Sequence, residues 1–133
     1  MLDTGYWTAY GEREVSIWYL VAWQINQKLF KSMILYNVTT NVEQSVEQEW
    51  LRWMQTEHVL DVLNTKMFVT AKVFRLLDVE QSEGTTTYAV QYFAKNREDY
   101  ERYQQEFAPH LQQEAQQKYG IKTVSFRTLM EEV

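Results

Sequence analysis

Apolar and polar positions along the chain follow two regimes that meet at Met33. From there on the pattern is regular. Met33 to Thr40 alternates, with Ile34, Tyr36 and Val38 on one face and Leu35, Asn37 and Thr39 on the other, which predicts a first strand. Asn41 or Ser45 then offers a helix cap, each followed three residues on by a glutamine (Gln44, Gln48). Val46, Trp50, Trp53 and Met54 recur at helical spacing behind them, so a helix is expected over 42–57. A shorter helical piece continues through Asp61 and Leu63 until Asn64 and Thr65. Phe68 to Val79 reads as a second strand, Glu80 to Gly84 as a polar turn and Thr85 to Ala94 as a third strand, the two strands forming a hairpin. Asn96 caps a second helix that carries Tyr100, Tyr103, Phe107 and Leu111 on one stripe and ends at Gly120. Pro109 either kinks that helix or divides it into two shorter ones. Ile121 to Leu129 supplies a last strand.

The order strand, helix, strand, strand, helix, strand is the split βαβ, or ferredoxin-like, arrangement, an α+β fold with a four-stranded antiparallel sheet and two helices on one face. Parity and apolar content sort the sheet positions into two sides. Ile34, Tyr36, Val38, Val69, Ala71, Val73, Tyr88, Val90, Tyr92, Val124 and Phe126 are expected under the helices. Leu35, Asn37, Thr70, Phe74, Leu76, Ala89, Gln91, Phe93, Ser125 and Arg127 are expected on the open side. Two helices cover one face only, and the open side is too apolar for a solvated one. A second copy packed sheet on sheet is therefore the expected partner, making the protein a homodimer.

Residues 1–32 keep to a different pattern. They hold Trp7, Trp18 and Trp23, three of the five tryptophans, and one apolar run, Val15 to Trp23. That run is too short to span a bilayer, and the residues before it are acidic where a secretory signal is basic. We expect residues 1–32 to be an extension outside the core, read through from a misplaced start codon, and 33–133 to be the ferredoxin-like domain. An aromatic anchor at a membrane surface is the alternative.

Composition narrows the function. A chain of 133 residues that is 45% hydrophobic and 23% charged has room for one globular core. Without cysteine there is no disulfide, thiolate metal site or cysteine nucleophile, and two histidines, His58 and His110, make a histidine metal cluster unexpected. A net charge of −5 disfavours a nucleic-acid partner, since no basic stripe is there to neutralise phosphates. Proteins and small apolar or aromatic ligands remain, with no cofactor expected and a cytoplasmic location.

The most chemical stretch is Glu49 to Asp61. On a continuous helix Trp50, Trp53, Met54, Glu57, His58 and Asp61 share an arc of about 140° at 100° per residue. His58 and Asp61 would then make an acid/base pair, Trp50 and Trp53 the wall of an aromatic pocket, and Tyr36, Tyr88 and Tyr92 its floor. The structural alternative is as concrete: the helix dipole favours a histidine near a C-terminus, and tryptophans at i and i+3 are ordinary core. His110 beside Pro109 fits a helix kink better than a ligand. Arg127 offers a grip for an anion or a pairing across the dimer, and a place on the open face favours the pairing.

Trp50, Trp53, Met54, His58 and Asp61, then Phe68-Val69, Arg75-Leu76-Leu77, Thr86 to Phe93, Ala108-Pro109 and Phe126 to Leu129 resemble a group of short bacterial proteins, domain of unknown function family 4286. The resemblance covers Met33 to the C-terminus. That family is similar in turn to the dimeric α/β-barrel superfamily, which implies two subunits packed sheet to sheet and a pocket between helices and sheet. The wider group holds cofactor-free monooxygenases, isomerases, chlorite-dismutase-like enzymes and ligand-binding regulators, so the fold leaves the activity open. The expected function is a non-catalytic accessory or interaction domain. A small-molecule binder, or a cofactor-free monooxygenase or isomerase using the helix–sheet pocket, is the alternative.

Overall fold

A computed structural model of the chain describes residues 6–9, 13–29 and 33–133. The chain divides into two compact units, Met1–Lys31 with Val133, and Ser32–Glu132. In the first, β1 (Tyr6–Ala9) pairs antiparallel with β2 (Arg13–Ser16), and α1 (Ile17–Leu29) follows directly. The apolar run Val15 to Trp23 is thus shared between a strand end and a helix, whose Trp18, Tyr19 and Trp23 are exposed. Among the described residues no helix is long and apolar enough to cross a membrane.

The second unit is a four-stranded sheet in the order β4-β5-β3-β6, all neighbours antiparallel. Its strands are β3 (Ile34–Glu43), β4 (Thr70–Arg75), β5 (Thr85–Ala94) and β6 (Thr123–Glu131). This is the ferredoxin-like order, and the sheet stays open at both edges. β3 runs three residues beyond the expected Thr40, because Asn41 and Val42 keep the alternation and pair with both neighbours. β4 is shorter than Phe68 to Val79: Asp78 takes a left-handed φ of 54°, which breaks the extended run.

The first helix is not continuous. One 3-10 turn (Gln44–Val46) leads into α2 (Glu47–Trp53), a π turn (Met54–His58) interrupts it, and α3 (Val59–Leu63) completes it. A π turn holds one residue more than an α turn needs, so every later side chain is set back by about 100°. Trp50 and Trp53 are buried before it, Met54 at its start and Val59 and Val62 after it, while Glu57 and Asp61 face solvent. The second helical segment is two helices, α4 (Arg97–Glu106) and α5 (Ala108–Tyr119). Asn96 caps α4 by accepting from the Asp99 N–H at 2.8 Å. Pro109 sits in the first turn of α5, where its missing donor costs no helical bond.

The core lies between these helices and one face of the sheet, with Ile34, Tyr36, Val42, Tyr88, Val90 and Tyr92 against Trp50, Trp53, Val62, Tyr103 and Leu111. The expected face assignment holds for β3 and β5 and reverses for β6. Arg127 pairs with Val38 and Ser125 with Thr40, so Thr123, Ser125, Arg127 and Leu129 stand on the helix side. Val124 and Phe126 lie on the open face, 72% and 63% exposed. A one-residue difference in register exchanges the two faces of a strand, and on this edge strand the apolar set is not the helix-facing one. Val69, also expected under the helices, is 60% exposed ahead of β4. On the open face Asn37 Nδ2 donates to Thr39 Oγ1 at 2.9 Å, and toward the end of β3 Asn41 Nδ2 donates to Thr85 and Thr87 Oγ1 at 3.0 Å.

Candidate functional site

A cleft of about 200 Å³ opens between the helices and the sheet beside β6. Each wall follows from a local spacing. Along α5, Leu111, Ala115 and Tyr119 recur every four residues and present one stripe to the cleft, with Gln112 and Gln116 beside it. From the first helix come Trp50, Trp53, Met54 and, carried inward by the π turn, His58. The floor is alternate residues of the central strands, Tyr36, Val38 and Thr40 with Val90 and Tyr92. β6 closes the side with Thr123, Ser125 and Arg127.

Polar groups in this cleft are held unequally. Arg127 Nε donates to the Tyr36 hydroxyl at 3.0 Å, and the Ser125 and Thr40 hydroxyls lie 2.8 Å apart. Tyr119 donates to Glu49 Oε1 at 3.1 Å, and burial with that carboxylate pushes its pKa up to about 12. Burial likewise drives Tyr92 and Tyr103 well above the ordinary phenol range, so both stay neutral donors. His58 is the exception. Its ring lies 4.8 Å from that of Trp53, and its buried Nδ1 has no hydrogen-bond partner. Desolvation lowers the His58 pKa, against the smaller upward pulls of Asp61 and Glu114, so the imidazole is neutral at pH 7.

The structure brings Tyr36, Trp50, Trp53, Tyr92 and His58 together around one space. It does not add Asp61 or Tyr88. Asp61 lines a separate shallow depression with Glu57, Glu114 and Lys118, and among the described residues no hydrogen bond joins it to His58. The π turn is the reason, since it rotates position 61 off the face that carries Trp50 and Trp53. Tyr88 is buried under Trp50, ring centroids 5.1 Å apart, and spends its hydroxyl on Glu47 at 2.7 Å. Reading from sequence missed Arg127, Ser125 and the α5 glutamines as cleft residues. The 111, 115, 119 spacing was the available signal for the α5 wall.

The chemistry on offer is stacking and shape recognition for a flat molecule, a neutral imidazole, tyrosine hydroxyls and one guanidinium. Among the described residues no carboxylate lines the cleft to act as a general base. Among the described residues, no three His, Asp or Glu side chains are grouped to hold a metal ion.

A family model described as Domain of unknown function (DUF4286) matches residues 33–133. No curated protein matches the chain. A solved structure described as a dimeric ferredoxin-like protein, from an uncultured marine organism, is similar with a TM-score of 0.52 and 12% identity, over 77% of this chain and 97% of that one. At that identity the likeness concerns the fold.

Proposed function

The chain belongs to the DUF4286 family of domains of unknown function, and from that premise and the cleft we propose that it is a small-molecule-binding domain acting as a homodimer. The observation that carries the binding reading is an unfilled space of about 200 Å³ amid aromatic side chains. A concave space walled by aromatic side chains with a few convergent polar groups is the usual form of a small-molecule site. An accessory domain without a ligand would have this space filled, and Trp50, Trp53, Tyr100, Tyr103 and Phe107 are the side chains large enough and near enough in the pattern to fill it. Of these, Trp50, Trp53 and Tyr103 stand on its walls and leave the centre open. The catalytic alternative asks for a His58–Asp61 hydrogen bond, and the geometry supports binding over catalysis.

Support for the dimer comes from the open face. Phe74 on one edge and Val124, Phe126 and Met130 on the other are exposed, flanking Asn37 and Asn41, which donate to hydroxyls of the same face. The similar solved structure is itself described as dimeric. Native mass spectrometry of the full chain tests both parts, with ligand-observed NMR against a library of single-ring aromatics. A dimer that retains or captures an aromatic molecule is the expected result. Failure of every ring to bind would return the domain to the accessory reading, and a monomer at micromolar concentration would remove the dimer.

A further inference from the structure

The charge around the cleft points to the kind of molecule that enters it. The chain carries eighteen acidic residues against thirteen basic ones, yet among the described residues no acidic side chain lines the cleft, and the permanent charge there is the Arg127 guanidinium. Among the described residues no ion pair engages Arg127. Its single hydrogen bond there, from Nε to the Tyr36 hydroxyl at 3.0 Å, orients the guanidinium plane and leaves the two Nη groups uncommitted. A planar fork of N–H donors held in this way is complementary to a carboxylate, which it engages through two parallel hydrogen bonds.

Size sets a second limit. An apolar cavity of about 150 Å³ holds benzene, so a cleft of about 200 Å³ has room for one substituted ring. The walls suit such a ring: Trp50 and Trp53 on the helical side, Tyr36 and Tyr92 on the sheet. His58 lines the same cleft, with its Nδ1 buried and without a hydrogen-bond partner.

We propose that the cleft binds a small aromatic carboxylate, with the carboxylate on Arg127 and the ring among Trp50, Trp53 and Tyr36. This assignment rests on the reading of the cleft as a ligand site. It gives a protein of net charge −5 a local preference for an anion, because Arg127 stands in a wall without competing carboxylates.

The test is calorimetric titration of the full chain with benzoate, 4-hydroxybenzoate and benzamide, and with acetate as the ringless acid. The wild type should bind benzoate at least tenfold more tightly than benzamide and bind acetate too weakly to measure. Arg127→Gln should lose at least tenfold in benzoate affinity and stay within twofold for benzamide. Arg127→Lys should fall between, since a point charge keeps the attraction and loses the fork. Equal affinity for benzoate and benzamide in the wild type, or indifference of benzoate to both substitutions, overturns the carboxylate assignment while the cleft still stands as a binding site. Ala115→Trp, which fills the space from α5, should abolish binding of every ring. If no ring binds the wild type, or if Ala115→Trp binds benzoate as the wild type does, the cleft reading falls and the carboxylate assignment with it.

Discussion

Arg127 on the edge strand and Tyr36 on its neighbour are diagonal partners, joined by an Nε–hydroxyl hydrogen bond of 3.0 Å although 91 positions separate them in sequence. The bond ties the exposed edge of the sheet to a tyrosine that is only 3% exposed. Removing the hydroxyl keeps the ring and frees the guanidinium. Tyr36→Phe should therefore cost about 1 kcal/mol of stability in urea unfolding, and should weaken benzoate three- to tenfold by undoing the orientation of Arg127. Unchanged affinity would show that the tyrosine does not position the arginine.

Phe126 tests the open face. It is exposed in the single chain, so Phe126→Lys should leave circular dichroism unchanged while converting the dimer to a monomer in sedimentation velocity. Ile121→Lys, at a position 92% exposed in the turn before β6, serves as the control and should sediment as the wild type does.

His58 makes stability fall on the acid side. Burial lowers its folded pKa below the unfolded value of 6.5, so the neutral form is the one the fold favours. Its contribution is complete above pH 6.5 and is lost as pH drops through the lower folded value, where the buried ring has to charge. Asp61 and Glu114 soften the effect without cancelling it. The melting temperature of the wild type should decline more steeply between pH 7 and pH 5 than that of His58→Gln. Parallel curves for the two proteins would place the acid sensitivity elsewhere.

Tyr119 has the opposite sign. Its folded pKa is about 12, against roughly 10 for a free phenol, so it favours the fold up to pH 10 and loses that contribution between pH 10 and 12. Tyr119→Phe removes the bond to Glu49 and should cost about 1 kcal/mol at pH 7. The gap between variant and wild type should close as pH rises through that window.

Much of this architecture could be read from alternation alone, and the exceptions have separate physical causes. β5 has the bounds expected, Thr85–Ala94, because its alternation is unbroken and both its neighbours are strands. β4 was overestimated because apolar Leu77 and Val79 continue a pattern that the left-handed Asp78 interrupts. The faces of β6 were exchanged because apolar content stood in for burial, and an edge strand beside a cleft places polar residues inward. For the site, Trp50, Trp53, Tyr36, Tyr92 and His58 were legible as one cluster because helical and strand periods bring them to facing surfaces. Asp61 was drawn into the same cluster by assuming an uninterrupted helix. Nothing in residues 54–58 marks a π turn by composition, so its phase shift appears only when the packing of Val59 and Val62 is known.

That phase shift also has a genetic reading. The five-residue π turn joins a half-helix whose Trp50 and Trp53 serve both the core and the cleft to a half-helix whose Val59 and Val62 serve the core. A one-codon deletion within it would remove the extra residue and leave an ordinary α-helix that keeps Val59 and Val62 on the core side, whereas straightening the turn with its residue count unchanged would turn them away and swing Asp61 inward.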